Sequence, residues 1–173
     1  LVLVARSMER GEATLARLGE ISPNVSHSIH YADLSLLAEM RRVGNQIAVV
    51  EPRIDVLINN VGALSAHQIT KDGLELTFAL NHMSYFVLTN CLLNKLSPNA
   101  RVINTSSEAH RGVRFKLQDL IDPKRHGTFK AYRLSKLCNI LFTRELARQF
   151  SGTLVTANCL HPGFVRSRLF ENK

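Results

Sequence analysis

The chain has 173 residues, 45% of them apolar, and a formal net charge of +8. That is the length of one domain with enough apolar residues for a core, which excludes a disordered chain. The basic residues are dispersed, and there are three tyrosines and no tryptophan; this excludes a nucleic-acid-binding tail or base-stacking platform and leaves a phosphorylated small molecule as the fitting anion.

Residues 1–5, LVLVA, read as a buried-type strand, and 8–20 suit a helix. A weaker strand follows at 26–32 and a helix at 35–50. The segment 54–59, IDVLIN, is a strand, and a long helical stretch fills 71–96 with Gly73 near its start. Another strand spans 100–106, and the charged stretch 111–125 reads as a solvated loop. A strong helix covers 129–150, and the last strand, 153–160, is stopped by Pro162-Gly163. Strands separated by helix-length segments imply βαβ units and a parallel sheet covered on both faces.

No repeat, low-complexity tract or linker divides the chain, so residues 1–173 are expected to form one domain. No apolar run is long enough to cross a membrane. Cys91, Cys138 and Cys159 show no paired spacing, and the seven histidines show no metal-ligand spacing. Reduced thiols fit an intracellular, cytoplasmic setting. The first residues read as the middle of a strand and carry no start methionine. A piece of a longer protein is therefore expected, with any upstream targeting or anchor segment out of view.

Each predicted strand runs into polar or small residues at its carboxyl end. These are Arg6-Ser7, Asp33, Asn59-Asn60-Val61-Gly62, Ser106-Ser107 and His161-Pro162-Gly163. Singly, each is also ordinary turn or cap chemistry. Together they mark one sheet edge, where open α/β sheets hold their ligands. The stretch AYRLSKLCNI places Tyr132 and Lys136 at i and i+4 of the last helix. An ammonium beside a phenol favours the phenolate and so suits proton exchange near neutral pH. A surface pair with no task is the alternative that these residues alone leave open.

The set resembles the short-chain dehydrogenase/reductase family, in particular its retinol dehydrogenase and WW-domain oxidoreductase branch. YRLSK matches that family's Tyr-x-x-x-Lys, and NNVG its Asn-Asn-Ala-Gly with Val61 in the alanine position. NTSSEAH matches the serine-bearing strand end, ALNHMSYF the helix with the catalytic asparagine, and HPGFVRS the Pro-Gly turn beside the nicotinamide. The resemblance implies a Rossmann-type doubly wound parallel sheet and NAD(P)-dependent hydride transfer between an alcohol and a carbonyl. It implies that Tyr132 is the general acid or base and that Lys136 assists its ionisation and holds the nicotinamide ribose. Ser107 would polarise the substrate oxygen, and Asn81 would hold a water that links Lys136 to solvent.

The cofactor contacts implied are Arg6, Asp33, Leu34, Asn59, Gly62, Tyr132, Lys136, Pro162, Gly163, Val165 and Ser167. Arg6, at a strand end without an acid, favours NADP(H) over NAD(H), because an arginine accommodates a 2′-phosphate where an acid would bind the free hydroxyl. The family's glycine-rich turn, its first strand and its last strand have no counterpart here. The first strand would lie between those at 1–5 and 54–59. The expected substrate is a hydrophobic alcohol, aldehyde or ketone, retinoid-like or similar, and the surface allows a homo-oligomer. A non-catalytic dinucleotide-binding regulator and an inactive truncated fragment are the alternatives.

Overall fold

The computed structural model describes residues 1–114, 116–122, 127–163 and 165. Strands and helices alternate, with β1 at Val2–Ala5, α1 at Met8–Ile21, β2 at Ser28–Tyr31, α2 at Leu37–Val50 and β3 at Ile54–Asn59. Then come a single turn α3 at Leu76–Phe78, a π-helical turn at Ala79–Met83, α4 at Ser84–Leu92 and a 3-10 turn at Leu93–Lys95. They are followed by β4 at Leu96–Thr105, a 3-10 turn at Glu108–His110, α5 at Leu117–Ile121, α6 at Thr128–Gln149 and β5 at Thr156–Leu160. All strand pairs are parallel, as expected for a Rossmann-type α/β fold.

The strands form two sheets, β1-β2 and β3-β4-β5. β1 and β3 are therefore edges, in keeping with an expected strand between them. One apolar cluster nonetheless spans both sheets. Met40, Val43 and Ile47 of α2 and Val87, Leu88 and Leu92 of α4 form its centre, with Val2 and Val4 of β1 and Ile54 and Leu57 of β3 packed against it. Leu57 also reaches a second cluster around Val102, Phe142 and Leu146, which seats α6 on the sheet. Gly44 allows the close approach of α2 and α4, since a Cβ there would lie 2.8 Å from the Cβ of Cys91.

Four expectations need correction. The stretch 71–96 is not one helix. Gly73 takes a left-handed φ of 78° in a turn closed by its N–H to the Thr70 carbonyl. The buried Glu75 then caps the next turn by accepting from the Phe78 N–H, so helix begins only at Leu76. At its other end Leu96 is already strand, pairing with Ile54. The loop at 111–125 contains the short helix α5, with Asp119 held by Lys130 of α6 at 2.9 Å. Residues 153–155 are not strand, because the Thr153 N–H turns back to the Phe150 carbonyl and pairing with β4 begins at Thr156. Cover on both faces fails at β3, where Val56 is 50% and Ile58 60% exposed.

Among the described residues, no helix is long and apolar enough to cross a membrane. Two outcomes follow from the packing. Gly44→Ala is expected to destabilise the fold by about 1–3 kcal/mol in urea unfolding, because overpacking outweighs the gain in helix propensity. Gly44→Ala combined with Cys91→Gly should recover part of that loss. Residues 1–173 expressed alone should self-associate through the bare apolar face and unpaired edge of β3. Light scattering should show less association when Val56 and Ile58 are both replaced by lysine, and equal scattering would reject that surface as the cause.

Candidate active site

The carboxyl ends of β1, β2 and β3 open onto a cleft of about 540 Å³ whose lining includes Arg6, Ser7, Arg10, Asp33, Leu34 and Gly62. Ser7 caps α1 by accepting from the Arg10 N–H at 3.3 Å, which sets the start of a 14-residue helix in the cleft wall. A helix N-terminus and two exposed guanidinium groups make this wall suited to an anion. Asp33 is oriented by Ser35, whose N–H and hydroxyl both donate to Oδ1, at 3.0 and 2.7 Å. The fold thus gathers Arg6, Asp33, Leu34 and Gly62, four of the expected cofactor residues. It adds Arg10, which the sequence reading missed; its place one turn into a helix that starts at a strand end was the available signal.

Asn59, Tyr132, Lys136, Pro162, Gly163 and Val165 lie outside the lining of that cleft. Pro162, Gly163 and Val165 are exposed, Gly163 with a left-handed φ of 77°, and Ser167 lies outside the described residues. Asn59 is buried, and its amide donates to Thr89 Oγ1 at 2.9 Å and to Asn104 Oδ1 at 2.8 Å. Its side chain ties β3 to α4 and β4, a joining role that its place in an Asn-Asn turn did not suggest.

The four expected catalytic residues stand on three neighbouring elements. α6 carries Tyr132 and Lys136 one turn apart, and the Lys136 Nζ lies 5.7 Å from the Tyr132 ring centre and 5.8 Å from that of Tyr85. Nζ donates to the Thr105 carbonyl at the end of β4, 3.0 Å away. Lys136 is buried, and burial alone pulls its pKa down to about 8, so its proton is exchangeable close to neutral pH. The Tyr85 phenol is pushed up by burial and donates to the Val61 carbonyl at 2.8 Å. It is a neutral wall beside the cation.

Asn81 occupies the π-helical turn, a distortion common at functional sites. Its side chain exchanges two hydrogen bonds with the backbone of Ala63, at 2.8 and 2.9 Å. That pair joins the turn to the cleft, which Ala63 also lines. The Asn81 carbonyl points the other way and accepts from the Asn139 amide at 2.9 Å. The two serines after β4 differ. Ser106 is buried and its hydroxyl donates to the Lys136 carbonyl at 2.9 Å. Ser107 is half-buried at the head of the 3-10 turn, where its Oγ accepts from the Ala109 N–H at 3.2 Å. Arg133 donates to the carbonyls of Ala109 and Arg111, at 3.0 and 2.7 Å, and so pins that turn to the first turns of α6.

Comparison with known proteins identifies the family. The family model described as short chain dehydrogenase matches residues 1–173. Retinol dehydrogenase 13 from Homo sapiens is 39% identical over 173 residues, which cover 98% of this chain and 52% of that protein. Retinol dehydrogenase 14 from Mus musculus is 43% identical over 140 residues, 79% of this chain and 42% of the relative. The chain spans about half the length of the curated relatives it matches. Among solved structures, an uncharacterized protein from Mycobacterium paratuberculosis superposes with a TM-score of 0.80 at 32% identity, covering 99% of this chain and 61% of that one. A short chain dehydrogenase from Burkholderia cenocepacia in complex with NADP shares the fold, with a TM-score of 0.74 at 23% identity over 94% of this chain and 62% of that one. With the whole chain matched by one family model and relatives this close, the protein belongs to the short chain dehydrogenase family and is retinol dehydrogenase-like in sequence.

Proposed function

We propose that residues 1–173 form part of one dinucleotide-binding domain of an NADP(H)-dependent oxidoreductase that interconverts hydrophobic alcohols and carbonyls. The observation that carries this reading is the pair on α6, with Lys136 buried and its Nζ 5.7 Å from the Tyr132 ring centre, on a helix that packs against the turns of Asn81 and Ser107. Relatives named retinol dehydrogenases support a retinoid-like substrate class. Arg6 and Arg10 on one cleft wall support the phosphorylated cofactor, since two guanidinium groups suit a 2′-phosphate dianion.

The cleft chemistry fits the adenosine end of such a cofactor, with Asp33 and Leu34 toward the adenine and Gly62 toward the ribose. Bound nicotinamide would supply or accept the hydride. Tyr132 donates its phenolic proton to the substrate oxygen during reduction and takes the hydroxyl proton during oxidation. The Ser107 hydroxyl donates to that same oxygen and meets the charge that develops there. Lys136 keeps positive charge beside the phenol and holds the nicotinamide ribose. Pro162, Gly163, Val165 and Ser167 are assigned to the nicotinamide side. The Asn81 side chain is committed to Ala63, so its backbone carbonyl is the group assigned to the proton path from Lys136 toward solvent.

The test is loss of NADPH absorbance with a panel of retinoid, steroid and simple aldehydes, using the full-length protein. No turnover by a folded, NADPH-bound protein across the panel would favour a non-catalytic regulator. Tyr132→Phe should lower turnover by about 10²–10⁴-fold while leaving NADPH affinity nearly intact, because only the hydroxyl is lost. Lys136→Ala should damage both. A bare surface pair would instead change stability by about 0.5 kcal/mol or less and leave the rate alone. For Arg6→Asp, loss of a charge-assisted phosphate contact should weaken NADPH binding by about 1.5–3 kcal/mol relative to NADH in titration calorimetry. An unchanged ratio of the two affinities would reject the assignment of Arg6.

A further inference from the structure

We infer that Asn139 and His82 are positioning residues for the Tyr132–Lys136 pair: His82 fixes the orientation of the Asn139 amide, and that amide satisfies the Asn81 and Thr105 carbonyls so that Lys136 can face the phenol and the cofactor. The inference rests on the proton-transfer reading of that pair.

α6 places Asn139 three residues after Lys136 on the same face, and it is fully buried. An amide nitrogen has two hydrogens. Both are used here, one on the Asn81 carbonyl at 2.9 Å and one on the Thr105 carbonyl at 3.2 Å. The amide oxygen therefore faces the other way, 2.9 Å from the His82 Nδ1. An amide oxygen only accepts, so His82 donates from Nδ1. Turning the amide over would set its oxygen against two carbonyl oxygens, which is repulsive.

Burial lowers the pKa of His82 and keeps the ring neutral. The ring stands among Phe78, Phe86 and Phe142, with centres 5.2, 6.4 and 6.3 Å away. A neutral imidazole that donates from Nδ1 carries its lone pair on Nε2. The histidine side chain in water favours the Nε2–H tautomer, so the Nδ1–H form at His82 is set by its bond to Asn139.

The consequence for Lys136 follows from donor supply. Its ammonium has three N–H groups, and one reaches the Thr105 carbonyl at 3.0 Å. Asn139 supplies the second hydrogen bond to that carbonyl and the one to Asn81. Without Asn139, the Asn81 carbonyl would lose its side-chain donor and the Thr105 carbonyl would be left to Lys136 alone, the cation beside them. Its Nζ would be drawn toward the backbone, away from the Tyr132 ring and the ribose. Among the described residues, the titratable groups that face Nζ are Tyr132 of its own helix and Tyr85 of α4.

The experiment uses the full-length protein and three variants, Asn139→Leu, His82→Phe and His82→Gln. Nitrogen-15 NMR of histidine-labelled protein should show His82 as the Nδ1–H tautomer, assigned by its absence in His82→Phe, and as Nε2–H in Asn139→Leu. NADPH titrated by fluorescence should bind several-fold more weakly to Asn139→Leu and His82→Phe. With NADP⁺ and all-trans-retinol, both variants should lose tenfold or more in kcat with the KM for retinol within twofold. The ascending limb of their pH–kcat profiles should move to higher pH. Glutamine can donate to Asn139, so His82→Gln should restore most of the rate.

His82→Phe keeps a ring among the three phenylalanines and carries the test if Asn139→Leu does not fold. Folded variants with wild-type NADPH affinity and pH profile would show a role in packing only and would overturn the inference. So would an Nε2–H tautomer in the wild type. Absence of turnover in the wild type would sink the oxidoreductase reading instead, and the tautomer and NADPH affinity would still decide whether His82 and Asn139 aim Lys136.

Discussion

A polar group buried in a protein has to find a partner, and the carboxyl end of β4 is organised by that requirement. Asn104 is fully buried there, accepting from Asn59 of β3 and donating to Thr143 of α6 at 2.8 Å. Thr143 in turn donates to the Asn139 carbonyl at 2.6 Å. One residue further along β4, the Thr105 carbonyl accepts from both Lys136 and Asn139. This chain of bonds runs from the sheet interior to Lys136 without a gap. It fixes the rotation of α6 about its axis, and so determines which of its residues face the sheet edge.

The same constraint sets the electrostatics. Lys136 is buried with burial as the sole cause of its shift, so its charge is supported by a carbonyl and two aromatic rings rather than by a carboxylate. A carboxylate partner would hold the proton on more tightly. A carbonyl leaves it exchangeable, which suits the proton-transfer role proposed for the pair. The cleft under β1 and β2 has the opposite character. Arg6 and Arg10 are exposed there, and two guanidinium groups suit holding an anion in place.

The two regions are coupled through the π-helical turn. Asn81 reaches the cleft through Ala63 on one side and α6 through Asn139 on the other. The apolar cluster beneath, shared by β1, β3, α2 and α4, keeps the two sides at a fixed separation even though the strands belong to different sheets.

Much of this was legible in the amino-acid sequence. Alternating apolar runs and helical stretches determined a parallel α/β fold, because strand and helix periodicities are local properties. The i, i+4 relation of Tyr132 and Lys136 needed only a helix, and Arg6, Asp33 and Gly62 needed only to follow strands. Tertiary structure decided the rest. The true start of helix at Leu76 depends on a buried glutamate cap and a left-handed glycine, and the early start of β4 depends on Ile54 across the sheet. Ser106 and Ser107 are identical as letters and differ in their partners, the Lys136 carbonyl of α6 for Ser106 and the Ala109 N–H of its own turn for Ser107. His82 and Asn139 lie 57 residues apart in sequence and carry no local pattern. Their partnership exists because hydrogen bonds satisfied across three elements depend on how those elements pack, and packing is not written in any one segment.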